Sequence, residues 1–411
     1  MNKLRMVCLS FIVLLLMVSC NHAEEYEEPV LPQPRGQVER TVLAYIVGDC
    51  GNSFSELSDL FRVNFQDMLK GMRHVDYSKC NLIVYSEMDN DVPRLISIKK
   101  IGERVVADTV FTYEEQNPLD KRVMSSVISQ TVHYFPAKSY GFVFLSHSAS
   151  WLPASQKPNV RSLGMYRKTQ MDITDFHDAL LSFPEPLKFI LFDSCLMQAV
   201  EVAYELRDCA DFLIGSPTEI PGPGAPYDKV VPEFFVEKDC ASRIASAYFE
   251  EYNCWYTGLI SGSGPWRSGV SIAAVKSSVL DLLADKTGIV YAQAIGELGR
   301  LQKEGIQRYD WSDDDANYDL NGFVSSLLGE EDELYREWKT VFDDAVVYWN
   351  TTPQNYSGLI RRLFSMDKAH GLSVYIPEGA YNSPMNSFYR TLQWSKAVGL
   401  DRIIWKYITV H

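Results

Sequence analysis

The stretch KFILFDSCLMQAVEVAYEL, residues 188–206, joins two halves with no spacer between them. Phe189 to Phe192 is a short β-prone run, and behind Asp193, Ser194 and Cys195 the residues Leu196, Met197, Val200, Ala203 and Leu206 recur at helical spacing. A continuous apolar run of that length is what a buried parallel strand needs. Cys195 is therefore expected at the carboxyl end of a strand and the amino end of a helix, where open α/β sheets bind their ligands. A cysteine in apolar surroundings is by default a small buried hydrophobe. At this corner, however, the unpaired N–H groups and partial positive charge of a helix start favour thiolate over thiol, so the position suits a nucleophile better.

Three more runs of the same kind precede it: TVLAYIVGD (residues 41–49), NLIVYSE (81–87) and GFVFLSH (141–147). Helical patterns separate them, for example over 56–72 and 123–134. Strands alternating with helices imply an α/β fold with a mostly parallel sheet covered on both faces, and such a sheet brings every carboxyl end to one edge. That edge collects Asp49, Cys50, Glu87, His147, Asp193 and Cys195. Of the seven histidines only His147 directly follows such a run. A cysteine beside a histidine is the minimal arrangement for thiol acyl transfer, with the imidazole handling the proton and the thiolate attacking a carbonyl. Cys50, in VGDCGN, is the rival nucleophile and ranks second because no apolar periodic helix stands directly behind it.

The chain of 411 residues, 46% hydrophobic and 12% aromatic, has the composition of a globular protein. Its formal charge of −14 argues against general nucleic-acid binding and leaves basic partners open. Lys3 and Arg5 precede an apolar stretch over 6–18 that is short for a membrane span and reads as a secretory signal. It ends in LLMVSC, which resembles a bacterial lipobox. That implies a signal peptide over 1–19, Sec-dependent export, and Cys20 as the lipidated first residue of a protein anchored at the outer membrane, on its periplasmic face or at the cell surface. Residues 20–38 are acidic and proline-rich and predict an extended tether. Cys50, Cys80, Cys195, Cys209, Cys240 and Cys254 remain, enough for three disulfides in an oxidising compartment. Their spacing matches no zinc site, and no metal is expected.

SHSASW (146–151), FDSCLMQAVEVAYELRDCADFLIGSPTEIPGPGAPY (192–227) and VLAYIVGDCGN (42–52), together with later pieces such as GLSVYIPEGAYN, resemble the clostripain family of cysteine peptidases, relatives of caspases, legumains and gingipains. The resemblance spans most of 38–408. It implies a caspase-like three-layer αβα sandwich, with a catalytic core over 39–230 and a helix-rich C-terminal subdomain over 231–411 that packs on it and adds strands. It also implies a cysteine endopeptidase acting on polypeptides after Arg or Lys. Carried over, Cys195 is the nucleophile, His147 its proton-transfer partner, and the backbone N–H groups of Ser148 and Cys195 form the oxyanion hole. Asp193 would bind the substrate's basic side chain, with Glu219 and Asp228 as further candidates for that pocket. Maturation by a cut between histidine and cysteine is common in such enzymes, and Arg161, Arg167 and Lys168 are the candidate positions.

One departure bears on activity. The family shows glycines after the histidine, where this chain has Ser148, Ala149 and Ser150. Serine and alanine largely avoid the positive φ that glycine tolerates. If the loop needs that conformation, a misaligned oxyanion hole would cost ~10² in rate, and the competing expectation is a binding lipoprotein that keeps the fold without the chemistry. A peptidase of non-basic specificity is the third. No cofactor is required by a cysteine–histidine pair. The acidic run DWSDDDANYDLNG invites a calcium reading through Asp313, Asp315, Asn317 and Asp319, but Tyr318 stands where the calcium loop has glycine and Val324 where it has glutamate. A helix capped by Asp319 is the favoured reading, with calcium kept as the alternative.

Overall fold

Fifteen strands lie among the described residues: β1 (Val38–Val47), β2 (Cys80–Glu87), β3 (Arg94–Ile101), β4 (Arg104–Thr112), β5 (Ala137–Leu145), β6 (Leu163–Tyr166), β7 (Thr169–Met171), β8 (Phe189–Asp193), β9 (Phe212–Gly215), β10 (Ser271–Lys276), β11 (Tyr318–Asp319), β12 (Val346–Thr351), β13 (Gln354–Ser357), β14 (Arg362–Ser365) and β15 (Ser373–Val374). Nine of them form one sheet in the order β12-β10-β9-β8-β5-β1-β2-β3-β4. The five central strands, β9 to β2, run parallel, and the antiparallel strands β10 and β3 flank them. The computed structural model describes residues 34–51, 56–154, 162–262, 264–294, 303–311, 317–377 and 381–400. The signal segment, Cys20, Arg161, Asp313 and Asp315 lie outside the described residues, as does the stretch 295–302.

Alternation along the strands builds two cores, one on each face. On β8, Ile190 and Phe192 join the core formed with α2 (Lys121–Tyr134), α3 (Ile173–Leu180), α4 (Val200–Glu205) and α7 (Leu280–Gln293). Phe189 and Leu191 face the opposite core, with α1 (Glu56–Gly71), α5 (Tyr227–Glu233) and α6 (Cys240–Asn253). A parallel sheet buried on both faces is the arrangement that near-continuous apolar strands require. The three-layer α/β reading and its helix-rich C-terminal part hold.

Several expectations change. β3 and β4, an antiparallel extension beyond β2, are absent from the sequence reading because β4 is largely exposed and its pattern is weak. A helical pattern runs over 330–348, but the helix ends at Ala345, and Val346 opens strand β12, whose β-branched and aromatic residues pair with β10. The β-prone pieces 269–274 and 371–376 part ways, the first joining the main sheet as β10. Ser373–Val374 instead pairs with β11 in a separate two-stranded ladder. None of the six cysteines forms a disulfide. Asp319 does cap the helix Leu320–Leu328, accepting from the Gly322 N–H at 2.6 Å.

Candidate active site

β5 and β8 are parallel neighbours with Leu145 opposite Asp193, so His147 and Cys195 each stand two residues beyond the last matched pair. The serines preceding them tie the strand ends together. Ser194 Oγ donates to the Ser146 carbonyl at 2.9 Å, and Ser146 Oγ donates to the Val47 carbonyl at 3.1 Å. The sequence reading passed over both serines, although one stands directly before each candidate residue. His147 and Cys195 are half-buried among buried neighbours.

The helix behind Cys195 begins later than expected. Leu196 is left-handed with φ +63°, Ala199 is extended, and α4 starts only at Val200. Residues 196–198 lie instead against 216–218, with the Leu196 N–H on the Thr218 carbonyl at 2.9 Å and the Gln198 N–H on the Ser216 carbonyl at 3.1 Å. A helix start therefore does not act on Cys195. Its sulfur accepts an N–H from Ile220 at 3.5 Å, a donor in the loop after β9 that sequence pattern alone does not reveal. A donor to sulfur favours the charged thiolate by the same logic.

The loop after His147 does adopt one of the conformations that glycine tolerates best. Ser150 has φ +68°, while Ser148 and Ala149 stay out of the left-handed region. Ser148 Oγ accepts the Gly164 N–H at 3.1 Å, and the Ala149 N–H reaches the Ser162 carbonyl at 3.2 Å, so the loop is pinned to the β6–β7 hairpin. Ser150 is fully buried, and its hydroxyl has no hydrogen bond among the described residues.

Asp193, the expected substrate contact, is held by the protein's own donors in this structure. Its carboxylate is 1% exposed and surrounded by donors of the protein itself: the Ala225 N–H at 2.9 Å from each oxygen, the Tyr227 hydroxyl at 2.9 Å and the Tyr248 hydroxyl at 3.2 Å. Burial pushes its pKa up to about 6 against the pull of those donors. Gly224, with φ +73°, sits so close that a Cβ there would meet Asp193 Oδ2 at 2.7 Å. Asp193 thus anchors the 224–225 segment in this conformation. Glu219 serves a nearby turn in the same way, accepting from Ser357 Oγ at 2.8 Å and the Gly358 N–H at 2.9 Å. Asp228, in the first turn of α5, pairs with Lys229 at 3.0 Å.

Cys50 is excluded as the rival. It is 2% exposed, donates to the Met165 carbonyl at 3.2 Å, and burial raises its pKa to about 12. Beside it Asp49 accepts from Arg167 Nε at 2.7 Å, and Arg167 also pairs with Glu115. Arg167, left-handed at the tip of the β6–β7 hairpin, is exposed like Lys168 next to it but tied by these ion pairs. One group among the described residues has metal-ligand character: His177, Asp208 and Cys209, with donor atoms within 4.8 Å of one another, away from this edge. Burial, followed by Asp208, pushes the Cys209 thiol up to about 12, which disfavours the thiolate a metal needs.

The sequence model of the Clostripain family, peptidase C11, matches residues 44–402. The chain belongs to the clostripain family of cysteine peptidases. Among solved structures it resembles a secreted C11 cysteine protease from Bacteroides thetaiotaomicron in complex with an irreversible peptide inhibitor, at 37% identity and TM-score 0.79 over 88% of this chain and 99% of that one. It also resembles an inactive zymogen C11 protease from Parabacteroides distasonis, at 29% identity and TM-score 0.76 over 89% and 99%. A cysteine protease of B. fragilis is 38% identical over 61% of this chain and 98% of its own, with TM-score 0.53. No functionally curated protein matches the chain. As in other clostripain-family members, the fold is that of a cysteine-type hydrolase.

Proposed function

We propose that this clostripain-family peptidase is an exported, lipid-anchored endopeptidase that cleaves polypeptides after Arg or Lys. The observation carrying the reading is the placement of His147 and Cys195 at matched positions beyond two hydrogen-bonded parallel strands. The Cys195 thiolate attacks the scissile carbonyl, and the N–H groups of Cys195 and Ser148 hold the oxyanion. His147 protonates the departing amine as the C–N bond breaks, then takes a proton from the water that hydrolyses the thioester. The acidity of the strand edge supports a basic substrate, and the resemblance of 1–20 to a lipoprotein signal supports Cys20 as the anchor. Arg161 is the proposed self-processing position, a choice supported over Arg167 by the ion pairs of Arg167 with Asp49 and Glu115. A second reading, non-basic specificity, is favoured by one observation, the enclosure of Asp193.

A fluorogenic panel varying the residue before the cleaved bond, run on the chain from Asn21 onward and on Cys195→Ala, tests both. Cleavage confined to Arg and Lys and lost in Cys195→Ala supports the first reading. Cleavage after apolar residues selects the second, and silence from a folded protein rejects both.

A further inference from the structure

On the same edge, past His147, lies a cavity of about 400 Å³ lined by Asp49, Glu87, Asp89, Asp91, Glu115 and Arg167. Its charges do not balance. Arg167 is shared by Asp49 and Glu115, and Arg94 pairs with Asp91 at 2.9 Å, while Glu87 and Asp89 make no ion pair among the described residues. Glu87 is 2% exposed, and its Oε2 has no hydrogen-bond donor among the described residues. A buried carboxylate oxygen left without a donor is costly, so this floor is incomplete without a cationic partner. Burial, then Asp49, pushes the Glu87 carboxyl up to about 7 against the pull of Arg167, and a further cation beside it would draw it back toward the carboxylate.

The cavity already shows what it accepts. Arg167 lays its guanidinium against Asp49 and Glu115 and over the Tyr166 ring, 4.9 Å from its centre. The volume is that of a pocket for an organic group and far exceeds one bare ion. Met88, Val92 and Pro93 supply apolar wall for the methylene stem of a long cationic side chain.

We propose that this cavity is a subsite for a Lys or Arg side chain of the polypeptide substrate, separate from the residue at the cleaved bond and bound by Glu87 and Asp89 beside Arg167. The proposal rests on the reading of the protein as a peptidase acting through Cys195. Glu87 ends β2 and Cys195 follows β8, three strand intervals away in the sheet. At about 4.8 Å per interval that is roughly 14 Å, and an extended peptide advances about 3.3–3.6 Å per residue, so the basic side chain belongs about four residues from the cleaved bond.

The test uses internally quenched peptides that share one cleavable residue and carry Lys, Ala or Glu four positions to either side. On one side Lys is expected to raise kcat/KM about tenfold over Ala, with Glu lowering it, and the preference should shrink at high salt. Glu87→Gln and Asp89→Asn, each first confirmed as folded by thermal unfolding, should flatten that preference while cleavage of the Ala peptide persists. An equal preference in the variants, or none in the unaltered protein, overturns the subsite. Should no peptide be cleaved, the peptidase reading fails by itself. The subsite is then judged by fluorescence anisotropy of the dye-labelled Lys and Glu peptides on Cys195→Ala with and without Glu87→Gln. Selective binding of the Lys peptide that Glu87→Gln removes upholds it, and equal binding overturns it.

Discussion

Ser150 is a residue in the wrong chemistry for its place. Left-handed backbone costs a side-chain-bearing residue roughly 1–2 kcal/mol, and glycine escapes that cost while losing some entropy on folding. Ser150→Gly should therefore raise the unfolding free energy by ~1 kcal/mol in denaturant titration. No change, or a loss, would mean that the buried hydroxyl has a role in the loop. The sequence leaves open whether the glycine-free loop needs this conformation, because the hairpin contacts that pin Ser148 and Ala149 come from residues 162–164. Cys195 and His147 were legible because each terminates an apolar run. The enclosure of Asp193 was not, since Tyr227 and Tyr248 reach it from two helices with no pattern linking them to β8.

At the scale of elements, α4 carries an unusual passenger. Glu201 is fully buried, accepts the Tyr375 N–H at 2.8 Å through one oxygen, and leaves the other without a donor among the described residues. Burial pushes its pKa up to about 8. A carboxyl raised on folding stabilises below its unfolded pKa, near 4.3, and that contribution is lost as pH climbs through the folded value. Asp193, raised to about 6, acts with the same sign. Urea midpoints should thus fall between about pH 5 and pH 9, and Glu201→Gln should flatten the decline, gaining at the alkaline end and little at the acid end. A wild-type midpoint rising over that range would show that other groups dominate. The central strands and most first-half helices were readable as elements because their apolar periods are long. The end of the helix at Ala345 was not, because Val346 to Tyr348 continue an apolar sequence whose change of period is visible only beside β10.

For the whole molecule, the sheet couples the two halves of the chain. β9 closes the parallel set, and its outer edge is covered by β10, which itself carries β12. We propose that residues 231–411 are a structural complement of 39–230 and not a separable module. Residues 39–230 expressed alone should aggregate, as a bare strand edge and an uncovered apolar face invite pairing. A soluble, cooperatively unfolding fragment would refute this. The absence of disulfides among the described residues has a different consequence. Thiol enzymes work only while the nucleophile stays unoxidised, and surroundings rich in reductant that preserve it would unstitch a scaffold held by cystines. The described part of the scaffold has no sulfur bonds, so reducing surroundings would protect the thiol without weakening the fold.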